Sequence, residues 1–155
     1  MGLNYAEMLG SINSRLTGDT TVIANLDTRN DGSPAVFTEI APSVRGGSTP
    51  PSSYIVLRLV SGTPSDHFEA NGTEYLVDCN LWRMDYGTTV QSLDPYATGE
   101  NMALVLDALR TRLDGWAPSI TGGTCTAMQH DQLVTQHEAE AWHWIQTFRV
   151  WAFED

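Results

Sequence analysis

The stretch Tyr75-Leu76-Val77-Asp78-Cys79-Asn80-Leu81-Trp82 decides the fold class. Successive side chains of a strand point to opposite faces. Tyr75, Val77, Cys79 and Leu81 therefore form one apolar face, and Leu76, Asp78, Asn80 and Trp82 a mixed one. The alternation runs from Glu74 to Met84 and predicts a strand of a sheet that packs one face on a core. Upstream, across a polar connection from Gly62 to Gly72, Tyr54 to Ser61 is apolar almost throughout, the pattern of a strand covered on both faces. Before that, Ala41 to Ser53 holds three prolines, two glycines and four serines and reads as a long surface loop. A short strand is expected at Ala35 to Ile40, entered from the turn cluster Asn30-Asp31-Gly32-Ser33-Pro34.

Helical spacing dominates elsewhere. Tyr5, Met8, Leu9, Ile12 and Leu16 recur on one helical face, with Gly18 as a stop. Asp19 is placed to cap a short second helix carrying Val22, Ile23 and Leu26. Beyond the connection Asp85 to Asp94, Asp94 and Pro95 read as the cap and first position of the longest helix. Its apolar stripe is Met102, Val105, Leu106, Leu109 and Leu113, and Gly115 stands where the helix ends. Thr124 to Thr135 and Glu140 to Glu154 read as strands, the last with Trp142, Trp144, Phe148 and Val150 in one parity. Hairpins are expected on each side of the main helix. The expected fold is α+β: a single mostly antiparallel sheet with the long helix and the N-terminal helix packed on one face. The length of 155 residues corresponds to a single domain, 1–155.

Composition narrows function. The formal net charge is −11, with 19 acidic residues against 8 basic ones, and every basic residue is an arginine. Arg15, Arg29, Arg45, Arg58, Arg83, Arg110, Arg112 and Arg149 are scattered, so no basic stripe is available to neutralise a row of phosphates. No N-terminal run combines basic and apolar residues, so a secretion signal is not expected. No apolar run approaches the ~20 residues of a membrane-spanning helix. Cys79 and Cys125 form no CxxC pair, and a buried free thiol is the expectation for Cys79. Both lie in expected strands, which leaves a disulfide open.

The same segments, taken in order, resemble a known family. They are Val36-Phe37-Thr38-Glu39-Ile40-Ala41-Pro42, Thr49-Pro50-Pro51-Ser52-Ser53-Tyr54-Ile55-Val56-Leu57, the Tyr75 to Trp82 strand, Leu109-Arg110-Thr111-Arg112-Leu113-Asp114-Gly115, and Trp144-Ile145-Gln146-Thr147-Phe148-Arg149-Val150-Trp151. Together they resemble the tail-completion, or tail-terminator, family of long-tailed bacteriophages, from about Tyr5 to Phe153. The resemblance implies a virion protein with no catalytic residue and no cofactor. It would form a homo-oligomeric, hexameric ring at the head-proximal end of the tail tube, touching the tube protein and the head-completion or connector protein. It would be assembled in the host cytoplasm, and DNA would pass through the ring without specific binding. An acidic chain fits such a passage, because it does not hold phosphates. The alternative readings are another head–tail joining component, such as a stopper or connector adaptor, and a small metal- or thiol-dependent enzyme.

Candidate sites follow from these readings. Trp142 and Trp144 share a face, whereas Trp151 has opposite parity. If Trp151 lies on the sheet face away from the helices, it is an interface candidate. Arg45, Gly46 and Gly47 in the proline-rich loop, and Asp85 and Tyr86 in the loop after the Glu74 to Met84 strand, are further candidates for contact with a neighbour or partner. His130, His137 and His143 are spaced seven and six residues apart, which is neither a helical nor a strand metal-pair spacing, so ordinary histidines are expected. Zinc held across a hairpin and a Cys125 nucleophile behind Gly122-Gly123 are the sharper alternatives. No nucleophile elbow or phosphate loop occurs.

Overall fold

A computed structural model of the chain describes residues 4–40, 42, 50–65, 72–84, 94–97, 99–138 and 141–155. The N-terminal helix α1, Tyr5–Thr17, begins where the Asn4 side chain accepts from the backbone N–H groups of Ala6 and Glu7. These are two of the donors that a helix start leaves without partners. It buries the expected Met8, Leu9, Ile12 and Leu16 and ends at Gly18. Helix α2, Thr20–Asn25, is capped by Asp19, whose Oδ1 accepts from Val22 N–H at 2.9 Å. Strand β1, Val36–Thr38, leads to the long strands β2, Ser53–Ser65, and β3, Gly72–Met84. Helix α3, Met102–Leu113, is followed by β4, Gly123–Cys125, β5, Gln129–Glu138, and β6, Ala141–Glu154.

The strands form one sheet in the order β1-β2-β3-β6-β4, with β5 also pairing β6. β3 lies at the centre, antiparallel to both β2 and β6. The β1–β2 pair is parallel, so the sheet is mixed rather than uniformly antiparallel. A parallel pair needs a crossover connection in place of a tight turn. In sequence, residues 39–52 separate β1 from β2, a length sufficient for such a connection.

Helices α1, α2 and α3 contribute to one core on one sheet face. Tyr75, Val77, Cys79 and Leu81 of β3 point into it, as the alternation requires, along with Ile55 and Leu57 of β2 and Trp144, Phe148 and Val150 of β6. The opposite face carries a smaller apolar cluster of Ala35, Tyr54 and Val56, flanked by Phe37, Trp82 and Met84. β2 is thus covered on both faces only from Tyr54 to Leu57; Arg58 and Val60 are exposed.

Several boundaries differ from the sequence expectation. β1 is confined to Val36–Thr38, β2 runs on to Ser65 into the expected polar connection, and α3, expected to be the longest helix, has 12 residues against 13 in α1. Asp94 and Pro95 do not start α3. Asp94 instead makes a local turn, its Oδ1 accepting from Tyr96 N–H at 2.9 Å, and the helix begins after Asn101, which accepts from Ala103 N–H at 3.0 Å. A short polar side chain can satisfy either a turn or a helix start, and sequence does not distinguish them. The strand expected from Thr124 to Thr135 is two strands. Between them Met128 turns away from β6 to bond the segment after α3, with Gly115 N–H to Met128 O and Met128 N–H to Trp116 O both at 2.8 Å. Gly115 itself adopts φ +81, a conformation that suits glycine.

No helix among the described residues is long and apolar enough to cross a membrane.

Candidate assembly surfaces

Because Val150 and Ala152 point into the core, Trp151 points to the face without helices. It is half-buried there, and Thr126 fixes its backbone: Thr126 N–H donates to Trp151 O at 2.8 Å, and Trp151 N–H donates to Thr126 Oγ1 at 3.1 Å.

The same face holds a row of rings across four strands. Phe37 meets Tyr54 edge-on at 6.1 Å, Tyr54 stacks on Trp82 at 6.3 Å, and Trp82 stacks on His143 at 3.7 Å. Tyr54–Trp82 and Trp82–His143 are cross-strand partners, so the row follows directly from register. His143 Nε2 lies 2.9 Å from Asn80 Oδ1, and Asn80 Nδ2 donates to Val56 O at 3.3 Å. A neighbouring row is polar: Thr147 donates to Asp78 at 2.7 Å, and Arg149 lies 3.6 Å from both Glu74 and Asp131. The odd parity of His143 against Trp142 and Trp144 was the available sequence signal for this row.

Arg45, Gly46, Gly47, Asp85 and Tyr86 lie outside the described residues. The described positions that flank them in sequence are tied together by a network that the sequence reading missed. Arg83 Nη2 lies 2.8 Å from Glu100 Oε2, and Ser52 and Ser53 donate to Glu100 Oε1 at 2.7 and 2.9 Å. Ser52 N–H donates to Asp27 Oδ2 at 2.7 Å, and Asp27 N–H donates to Ser53 Oγ at 2.9 Å. Met84 N–H donates to Ser52 O at 2.7 Å. The start of β2, the end of β3 and the approach to α3 are thereby fixed to one another.

Acid should loosen this arrangement. Burial pushes the Asp27 carboxyl up, but N–H donors from Ser52 and Thr28, the Ser52 hydroxyl and the Arg83 charge outweigh it and hold the group below its ordinary value. Asp19 follows the same logic: burial raises it, and Val22 N–H with the Arg112 guanidinium more than compensate. A lowered folded-state value means stability present above the unfolded value of 3.8 and lost as pH falls through the folded one. The melting temperature should fall below about pH 4, and Asp27→Asn should flatten part of that fall. A melting temperature unchanged between pH 5 and pH 3 contradicts this.

The histidines are distributed rather than gathered. His137 stacks on Trp142 at 3.9 Å and His130 meets Phe148 edge-on at 5.3 Å on the helix side, while His143 lies on the other face. Among the described residues, no group of three His, Cys, Asp or Glu side chains is arranged to hold a metal ion. Cys79 and Cys125 are free and buried. Burial pushes the Cys79 thiol far up and the Cys125 thiol up to about 11, so both are protonated near neutral pH and lack the thiolate needed for attack.

No protein-family model matches the chain, and no curated protein matches it significantly in sequence. Its fold is similar to that of a chain in the virion of a native gene transfer agent (GTA) particle. The TM-score is 0.62 and the identity 14%, over 96% of this chain and 96% of that chain. At that identity the likeness establishes a shared fold.

Proposed function

We propose that this chain is a structural protein of a phage-like particle that caps the head-proximal end of the tail tube as a homo-oligomeric ring and joins tail to head. The supporting observation is the fold shared over nearly the whole length with a virion chain. The ordered segments that resemble the tail-terminator family add to it. Partners are further copies, the tube protein and a head-completion or connector protein.

The arginines fit a DNA passage that does not grip. Arg83, Arg112 and Arg149 face acidic side chains of the chain's own fold. Arg15 donates to Arg112 O and lies over Trp116, and Arg29 donates to Val36 O and lies over Phe37. Arg58 and Arg110 are exposed and Arg45 lies outside the described residues, but scattered arginines in a chain of net charge −11 make no basic stripe for phosphates.

Trp151 is the proposed contact residue within the assembly. Trp151→Ala should weaken assembly by about tenfold or more, the effect of losing an interface aromatic worth roughly 2 kcal/mol, while circular dichroism stays native. A variant that unfolds, or one that assembles normally, contradicts the assignment. The location is tested by gold labelling of this chain in intact particles. Label at the head–tail junction supports the reading. Label on the shell or the distal tail tip contradicts it.

A further inference from the structure

Strand β5 is hydrogen-bonded to β6 along one edge, yet Asp131 to His137 are all exposed. Leu133 is 48% and Val134 37% exposed, on opposite faces of the strand. No strand among the described residues pairs with its other edge. Such an edge presents unpaired N–H and C=O groups, and natural sheets blunt it with lysine, proline or very short strands. β5 contains no lysine, proline or glycine and is ten residues long, with a single irregularity between His130 and Gln132. On β5 itself, side-chain capping is seen at its start, where His130 N–H donates to Asp114 Oδ1 at 3.1 Å, next to that irregularity and outside the Gln132–Gln136 window. The opposite edge of the sheet is shorter and is capped as well. β1 has three residues, and its Val36 carbonyl already accepts from the side chains of Asn13 and Arg29.

The sequence of β5 points to its occupant. Gln132-Leu133-Val134-Thr135-Gln136 reads nearly the same in both directions about Val134. Two antiparallel strands related by a two-fold axis must oppose residues of the same face. Centred on Val134, that pairing sets Val134 against its own counterpart, Gln132 against Gln136, and Leu133 against Thr135. The window carries no charge, so two copies of a chain of net charge −11 meet there without opposing like charges. Outside it, the end bearing His130 and Asp131 meets the end bearing His137 and Glu138, each with one histidine and one acid. Val134 is the cross-strand partner of Ile145, so an apolar row of Ile145 and Val134 continues across the seam into the second copy.

We propose that the outer edge of β5 is a docking surface for a second copy of this chain, joined antiparallel about Val134 in the free protein. The proposal rests on the edge itself and is independent of the tail-end reading. Its test is the solution mass of the full chain by light scattering, combined with cysteine substitution. The wild-type chain should reach twice its monomer mass with rising concentration. Val134→Lys should lower the dimer fraction at least tenfold with native circular dichroism. In an oxidising glutathione buffer, Val134→Cys should form a covalent dimer, because directly opposed Cα atoms lie ~4.5–5.5 Å apart, within disulfide reach. Leu133→Cys should not, its counterpart lying diagonally across the seam. Cys79 and Cys125 are buried and contribute little background. A wild-type chain that stays monomeric, a dimer indifferent to Val134→Lys, or cross-linking as efficient at Leu133 as at Val134 overturns the proposal.

Discussion

Replacing Trp144 by alanine should lower the unfolding free energy by about 3–5 kcal/mol, the largest single-residue loss expected in this chain. Trp144 is 1% exposed and sits on β6 with Leu81 of β3 as its partner on one side and Thr135 of β5 on the other. Its ring stacks on Trp142 at 6.0 Å and meets Tyr96 at 6.3 Å. Removing it deletes apolar burial and leaves a cavity that a regular sheet cannot close by backbone movement. Because small domains hold only ~5–15 kcal/mol of net stability, the variant should unfold at much lower urea. The slope of the transition should be unchanged, since the surface exposed on unfolding is nearly the same. Trp144→Phe should recover part of the loss. A change below about 1 kcal/mol, the ordinary range for a surface site, contradicts the packing described.

The second large effect is expected at Glu100. Glu100→Ala removes the salt bridge of Arg83, whose side chain is 12% exposed, leaving it the weaker attraction of Asp27, and removes the acceptor shared by Ser52 and Ser53. Breaking a buried pair from one side costs about 3–5 kcal/mol. Glu100 retains 29% exposure, so solvent offsets part of that, and a loss of roughly 2–3 kcal/mol is expected. The double variant Arg83→Met with Glu100→Leu should recover most of it, because the cost comes from the stranded charge. Chemical unfolding of Arg83→Met, Glu100→Leu and the double variant measures the coupling. Additive losses would mean that the two residues act separately.

The strands carrying one clean face were legible because period-two alternation is local. β3 appeared with its buried set Tyr75, Val77, Cys79 and Leu81, and β6 with Trp144, Phe148 and Val150. The Asp19 cap of α2 and the Met8, Leu9, Ile12 and Leu16 face of α1 also followed the sequence, whereas Tyr5 and Ile23 are exposed and Leu26 lies beyond the end of α2. The features that were not legible depend on distant partners. The parallel direction of β1 is set by where the chain returns after it, and the break between β4 and β5 by hydrogen bonds from Met128 to Gly115 and Trp116. The start of α3 turned on a choice between two polar residues, Asp94 and Asn101, each able to bond the backbone two residues on.

Of the candidate surfaces, the parity of Trp151 was readable from sequence and its outward position follows from it. The Asp27–Ser52–Ser53–Arg83–Glu100 network was not, since its members come from four separated stretches and no single one is unusual. The ring row from Phe37 to His143 needed the cross-strand register, which alternation alone does not supply.

The most direct test of the tail-end account is to mix the purified protein with tail tubes of the parent particle that lack a cap, and to image them. A disc should appear at one end of each tube, with no further tube growth from that end and restored joining to filled heads. Tubes that recruit no protein, or that bind it along their length, would contradict it.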